Sequence, residues 1–446
     1  MHVPRVSASF KHGSTTLNSS VGCPGGEAMV WAVEAEFTCG NRENGGGECP
    51  GEHTRLQVGR VDGRGVTIKA LVSPGDRPLR TLSRRSYRRS PGTNESVSYQ
   101  VSWARRFLST ERVPTRPRIA LALVCGVALG LVTAQHNLRE PTPRDFAQVW
   151  FAARCILHGV NPYQAVGPGL AFDWPFPLLY PLPAAVIAIP FAPLAENAAT
   201  VLFMMLGGFA FAWALMEHGY GTLFAFASMP VHAAGESSQW SPLLSASMVV
   251  APLGLLAVAK PSVGAALFVA RPTRWFIFGG VLFGAIAFAL EPRWVVDWIA
   301  AIRRDNAIWA PTVPYRAPIT FFGGPLALLA LLRWRRPEAR LIAAMVCVPQ
   351  TLVLYEAVPL MLVPRTFWEA AMLTATSYLG HWWVRWHLPP VYHERLSYAL
   401  VGQAMIWSLY LPATIMVLRR RNVNEDAARE TDADSIGARD LAPAEE

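Results

Sequence analysis

The chain has 446 residues, 52% of them hydrophobic and 16% charged, with a formal net charge of +9. Soluble domains carry about 25% charged residues, so this balance excludes a disordered chain, a collagen and a disulfide scaffold. The positive excess is almost all arginine, because lysine occurs only at Lys11, Lys69 and Lys260. It clusters beside apolar runs, which points to membrane topology rather than to a nucleic-acid surface.

Residues 1–116 are rich in Gly, Ser, Arg and Thr and show no sustained periodicity, which predicts a disordered, basic, cytoplasmic segment. No methionine lies between Met29 and Met204, so an overlong gene model for part of this segment stays open. Met1 to Phe10 holds no apolar core, and no secretory signal is expected there. From Arg77 to Arg118 there are eleven arginines against two acids, Glu95 and Glu111. Basic residues just outside an apolar helix mark its cytoplasmic end. The first apolar run then starts at Ile119 and delivers a loop, 135–177, to the exoplasmic face.

Residues 117–418 divide into about ten or eleven apolar segments, from 119–134 to 396–418. A bilayer crossing needs about 20 apolar helical residues, and many of these are shorter. The fold class predicted is an all-α polytopic membrane protein with transmembrane or re-entrant helices. Arg340 and Arg365 both read as cytoplasmic, yet the 24 residues between them contain Pro349 and Pro359. That span suits a broken, returning pair of half-helices with Tyr355 and Glu356 near its apex, beside a cavity. Residues 419–446 read as an acidic cytoplasmic tail.

Chemistry-bearing residues concentrate in the first loop. Phe146, Val149, Trp150 and Leu157 recur at helical spacing, predicting an interfacial helix with Asp145 at its N-terminus. Local sequence leaves an N-cap role and a base role for Asp145 both open. Asn161, Tyr163, Asp173 and Tyr180 lie in an aromatic and proline-rich stretch that suits either a membrane-boundary belt or a pocket rim. Ten residues, 261–270, separate Lys260 from Arg271, about 15 Å along a helix. A charge at that depth costs at least about 2.5–3.5 kcal/mol and calls for an anionic partner. Gln239, Glu356 and Arg316 are further polar candidates at apolar boundaries. His381, His387 and His393 are spaced six apart, which is no helical repeat, so no metal site is expected. Walker, dinucleotide and zinc-protease motifs are absent from the sequence.

In chain order, Asp145 with its helix, Gly159-Val160-Asn161-Pro162-Tyr163, Tyr180-Pro181-Leu182-Pro183, Ser238-Gln239-Trp240 and Lys260-Pro261 resemble the GT-C superfamily of integral-membrane glycosyltransferases, most closely glycosyltransferase family 87. Members carry Gly-Gly-Asn-Pro-Tyr, Tyr-Pro-Pro, Gly-Gln and Lys-Pro at these places. Here Val160 replaces a glycine, Leu182 interrupts the proline pair and Ser238 precedes Gln239.

The resemblance implies an inverting hexosyltransferase moving a sugar, usually mannose, from a polyprenyl-phosphate donor to a lipid-linked or cell-envelope acceptor on the exoplasmic face of a bacterial cell membrane. It implies Asp145 as base. Lys260 is the first candidate for the donor phosphate, and Arg316 the second. No cofactor or metal is expected, the lipid-linked sugar being a co-substrate, and the partners are the bilayer, that donor and a glycan or glycolipid acceptor. The alternatives are a multi-pass transporter or lipid flippase, and a non-catalytic relative of the glycosyltransferases.

Overall fold

In the computed structural model the described residues are 107–139, 144–309, 316–351, 353–388 and 394–421, with four short strands between residues 17 and 71. The acidic tail beyond residue 421, His393 and the basic run from Arg77 to Arg106 lie outside the described residues.

The chain divides into two compact units, residues 1–90 and 91–446. In the first, β1 (Leu17–Asn18) pairs antiparallel with β2 (Glu34–Ala35), and β3 (Arg55–Asp62) with β4 (Gly65–Leu71). Regular structure therefore occurs inside a segment whose composition predicts none. In the second pair Val58 stands opposite Ile68 and Val61 opposite Val66, residue types that favour strands.

The second unit is mostly helical. Its α-helices in order are α1 (Thr115–Arg139), α2 (Asp145–Leu157), α3 (Pro162–Ala165), α4 (Leu182–Ala188), α5 (Glu196–Leu215), α6 (Met229–Ser237), α7 (Ser241–Ser245), α8 (Pro261–Ala270), α9 (Arg274–Leu290), α10 (Trp294–Trp309), α11 (Pro337–Cys347), α12 (Phe367–His387), α13 (Glu394–Met405) and α14 (Leu411–Leu418). A minimal parallel pair, β5 (Val166–Gly167) with β6 (Phe172–Asp173), closes the loop after α3.

Among the described residues three helical stretches are long and apolar enough to cross a membrane: Thr115–Arg139, Glu196–His218 and Tyr398–Leu418. The α9–α10 pair qualifies together but bends by 94°. The other apolar runs fold as shorter α-helices and 3-10 stretches. Pro230, Pro242, Pro252, Pro261 and Pro325 each sit in the first turn of a new stretch. A proline has no N–H for the preceding turn, so it restarts a helix more readily than it continues one.

Helices α1 and α5 pack antiparallel. Arg118 of α1 donates to the Trp213 carbonyl and, at 2.9 Å, to Glu217, while at the far end Asn137 donates to Asn197 at 3.2 Å. Glycine makes the approach possible: a Cβ on Gly126 would lie 2.6 Å from the Met205 carbonyl oxygen. Small residues at the contact let the two helix backbones approach closely. The opposite side of α1 leaves Leu123, Val124 and Leu131 exposed, and α9 exposes Ile277, Phe278 and Val281.

The basic clusters scattered along the sequence gather at one end. Arg112, Glu217, Arg271, Glu338 and Arg365 surround one cavity of about 400 Å³, and Arg340 caps α8 by donating to the Ala270 carbonyl at 2.8 Å. The segment between Arg340 and Arg365 leaves this end and returns to it. Arg365, just after the 3-10 stretch Leu354–Leu362, donates to Glu338, in the first turn of α11, at 2.8 Å through Nε. The break between the two halves is the turn predicted from the arginine spacing.

Helix α2 departs from expectation. Predicted to lie on a membrane surface with one wet face, it is buried nearly all round. Phe146 stacks on Phe203 at 3.9 Å and meets Phe191 and Trp240 edge-on or tilted. Ala147 and Ala152 pack into a second apolar cluster with Tyr163 and Trp294. The small alanines between the aromatics make the reverse face apolar as well, and a helix apolar on both faces is a core helix. The packed body also reaches N-terminal of the expected 116/117 boundary, since Phe107 meets Phe367 at 5.2 Å and Val113 is buried.

Candidate functional site

A cavity of about 320 Å³ collects residues from six parts of the chain. Asp145 and Gln148 enter from the first turn of α2, Tyr180 from the loop before α4, and Lys260 from the start of α8. Asp305 comes from α10, Gln350, Tyr355 and Glu356 from the broken α11 segment, and Tyr398 from α13.

Asp145 is the first helical residue of α2; the capping position belongs to Arg144, whose side chain makes no cap hydrogen bond. The simple N-cap role for Asp145 is therefore not the one observed. Its carboxylate accepts from the side-chain amide of Gln239. Burial pushes its pKa up from the ordinary 3.8 to about 6, with Lys260 opposing the rise and Glu356 adding to it. A carboxyl group poised near neutral is suited to accept a proton.

Gln239 follows a tight reversal at the end of α6. Ser238 has φ 52° and ψ 56°, the single non-glycine left-handed residue among those described, and its buried hydroxyl has no hydrogen-bonding partner. That backbone normally belongs to glycine. The turn sends the Gln239 side chain behind the cavity wall, where it is 1% exposed. There it bridges two charges: its amide nitrogen donates to Asp145 and its Oε1 accepts from Lys260 Nζ at 2.9 Å. An ammonium only donates, so the amide oxygen must face Lys260 and the NH₂ must face Asp145. Gln239, a polar candidate from the sequence, thus holds the Asp145 carboxylate from behind the cavity wall.

Lys260 lies at the junction of the 3-10 stretch Ala251–Ala259 and α8. Besides Gln239 it pairs with Glu356 at 2.8 Å and sits 5.1 Å from the Tyr355 ring centre. Two of its three protons are thus engaged by oxygens. The anionic partner required for a buried lysine is Glu356, whose second oxygen, Oε2, is buried without a partner. An unmatched buried acceptor costs about 1–3 kcal/mol.

The remaining expected residues divide. Tyr180 lines the cavity. Asn161 instead caps α3, accepting from the Tyr163 amide at 3.0 Å and donating to Asp297 at 2.9 Å. The buried Tyr163 hydroxyl donates to the Tyr180 carbonyl at 3.1 Å, and Asp173, exposed, accepts from the Gly169 amide at 2.9 Å. These three brace the loop instead of rimming the cavity, because each finds a local backbone or side-chain partner first. Arg316 is exposed and meets the site's edge through its backbone, its carbonyl accepting from the Gln350 amide at 3.4 Å.

Sequence reasoning missed Gln148, Asp305, Gln350 and Trp298. Gln148 alone carried a usable signal: it stands three residues after Asp145, on the same helical face. Asp305 and Trp298 reach the cavity only because α10 folds back at the 94° bend. Among the described residues no three His, Cys, Asp or Glu side chains lie close enough to hold a metal ion. Set against models of protein families, curated proteins and solved structures, the chain matches none of them.

Proposed function

We propose that the protein is a polytopic membrane-embedded, inverting hexosyltransferase that uses a polyprenyl-phosphate sugar and acts on the face opposite its arginine-rich end. The observation that carries this reading is the connected chain Asp145–Gln239–Lys260–Glu356, which joins residues far apart in sequence at one cavity. Three spanning-length helices, exposed apolar side chains on α1 and α9, and the gathering of arginines at one end support the membrane assignment. Asp145 follows the far end of α1 from that arginine cluster, which supports an exoplasmic orientation for the cavity.

In the reaction the acceptor hydroxyl oxygen attacks the anomeric carbon, and its proton passes to Asp145. The bond from that carbon to the phosphate oxygen breaks, and its electron pair leaves with the polyprenyl phosphate, which gains one negative charge. The phosphate needs no acid, because it is already stable as an anion. Lys260 has one proton left to offer it, and a fixed cation at the developing charge lowers the barrier. Positioned base assistance is worth about 10²–10⁴-fold.

The test is transfer of radiolabelled mannose from polyprenyl-phosphate mannose by membranes containing wild type or Asp145→Asn. Incorporation by wild type and its loss in the mutant, at equal amounts of folded protein, is the expected result. Equal incorporation by both would end the base assignment.

A further inference from the structure

Two buried hydrogen-bond acceptors in the cavity wall have no partner among the described residues. Gln148 is 3% exposed and its Oε1 makes no hydrogen bond. Glu356 is 1% exposed; its Oε1 holds Lys260, and its Oε2 holds nothing. Buried polar atoms in folded proteins are nearly always matched, so each unmatched one calls for a ligand or a water. Both residues line the same cavity, whose other walls include Trp174, Trp298 and Tyr355. The Trp298 ring is held in place by its Nε1, which donates to the Leu179 carbonyl at 2.8 Å.

The chemistry of the missing partner follows. Unmatched acceptors need a donor, which a hydroxyl or an ammonium would supply. Lys260, 2.8 Å from Glu356, already supplies its ion pair, and the amide oxygen of Gln148 offers an ammonium no opposite charge. A neutral donor is favoured. Flat aromatic walls favour a ligand with an apolar face. A pyranose ring has both, with hydroxyls around its edge and C–H bonds on its face. We propose that Gln148 and the free oxygen of Glu356 recognise ring hydroxyls of the hexose, with the aromatic wall covering its C–H face. Gln148 lies one helical turn from Asp145, so the hydroxyl it reads is close to the reacting centre. That the ring is a substrate rests on the glycosyltransferase reading; that it is a neutral polyol rests on the cavity alone.

The experiment uses the full-length protein in detergent, titrated with methyl mannoside, its monodeoxy analogues and ethanolamine, with tryptophan fluorescence as the signal. Saturable binding of methyl mannoside is expected, weakened at least tenfold in Gln148→Met, a change that keeps volume but removes the polar atoms. One deoxy analogue should lose as much against wild type and nothing more against Gln148→Met. The thermal midpoint of Gln148→Met should equal or exceed that of wild type, because an unmatched buried group has been removed. If Gln148→Met does not fold, Gln148→Glu, which keeps the acceptor oxygen, takes its place and should retain binding within threefold. Unchanged binding in Gln148→Met, tighter binding of ethanolamine than of the hexoside, or no hexoside binding to wild type would each overturn the proposal. Hexoside binding with this pattern but no sugar transfer would remove the transferase reading and leave the polyol site. Transfer by wild type with an unchanged KM in Gln148→Met would do the reverse.

Discussion

Lys260 Nζ and Glu356 Oε1 lie 2.8 Å apart, with the two side chains 12% and 2% exposed. Removing one member of such a pair leaves the other charge buried and unmatched, which costs about 3–5 kcal/mol. Lys260→Met should therefore unfold at markedly lower temperature. Lys260→Met combined with Glu356→Gln should regain most of that loss, because no charge is stranded. Sugar transfer should stay abolished in both. Thermal unfolding in detergent, run beside the transfer assay, measures the two effects separately. A single mutant as stable as wild type would show that the two charges do not depend on each other.

The pH dependence of transfer follows from Asp145. Burial holds its pKa up at about 6, and only the carboxylate can take a proton. Activity should fall as pH drops through about 6. Glu356→Gln removes a neighbouring negative charge and should move this limb to lower pH. Stability runs the other way. The folded pKa lies above the ordinary 3.8, so the protonated group's contribution is complete below about 4 and is lost as pH rises through about 6. Wild type should lose stability across that window, and Asp145→Asn should lose less. A pH–rate profile and unfolding at several pH values check both signs.

Ser238 is held at φ 52° with a buried, unpartnered hydroxyl. A left-handed conformation in a residue with a Cβ costs about 1–3 kcal/mol. Ser238→Gly should raise stability by about 1 kcal/mol, and transfer should remain near wild type because the turn that aims Gln239 is kept. A fall in the unfolding midpoint would show that the serine contributes packing that outweighs the strain.

A Cβ at Gly126 would sit 2.6 Å from the Met205 carbonyl oxygen. Gly280 is different: a Cβ there meets nothing within 4 Å. Gly126→Ala should destabilise by about 1–3 kcal/mol through overpacking, whereas Gly280→Ala should be neutral or slightly stabilising through its helix propensity. Parallel melting curves of the two variants test whether α1 and α5 pair as closely as described.

Removing residues 1–90 takes away one compact unit and should leave the unfolding midpoint of the remainder within a few degrees. Cutting through residue 110 also removes Phe107, which meets Phe367 at 5.2 Å, and should lower it. Equal midpoints for the two truncations would show that the Phe107 contact adds no stability.

The amino-acid sequence alone determined the apolar helical character, the position of Asp145 at a helix start, the need of Lys260 for an anionic partner, and the return of the segment between Arg340 and Arg365. These are local properties: helical spacing, the cost of a charge in an apolar run, and the distance two arginines can stand apart. Tertiary structure decided which acid would meet Lys260, that Gln239 would work behind the wall and not in it, and that α2 would be buried on both faces. It also brought Gln148, Asp305 and Trp298 to the cavity. Periodicity reports one face of one element, whereas a cavity is made where several interrupted helices stop and bend against each other, and those packing angles are set by side chains far away in the chain.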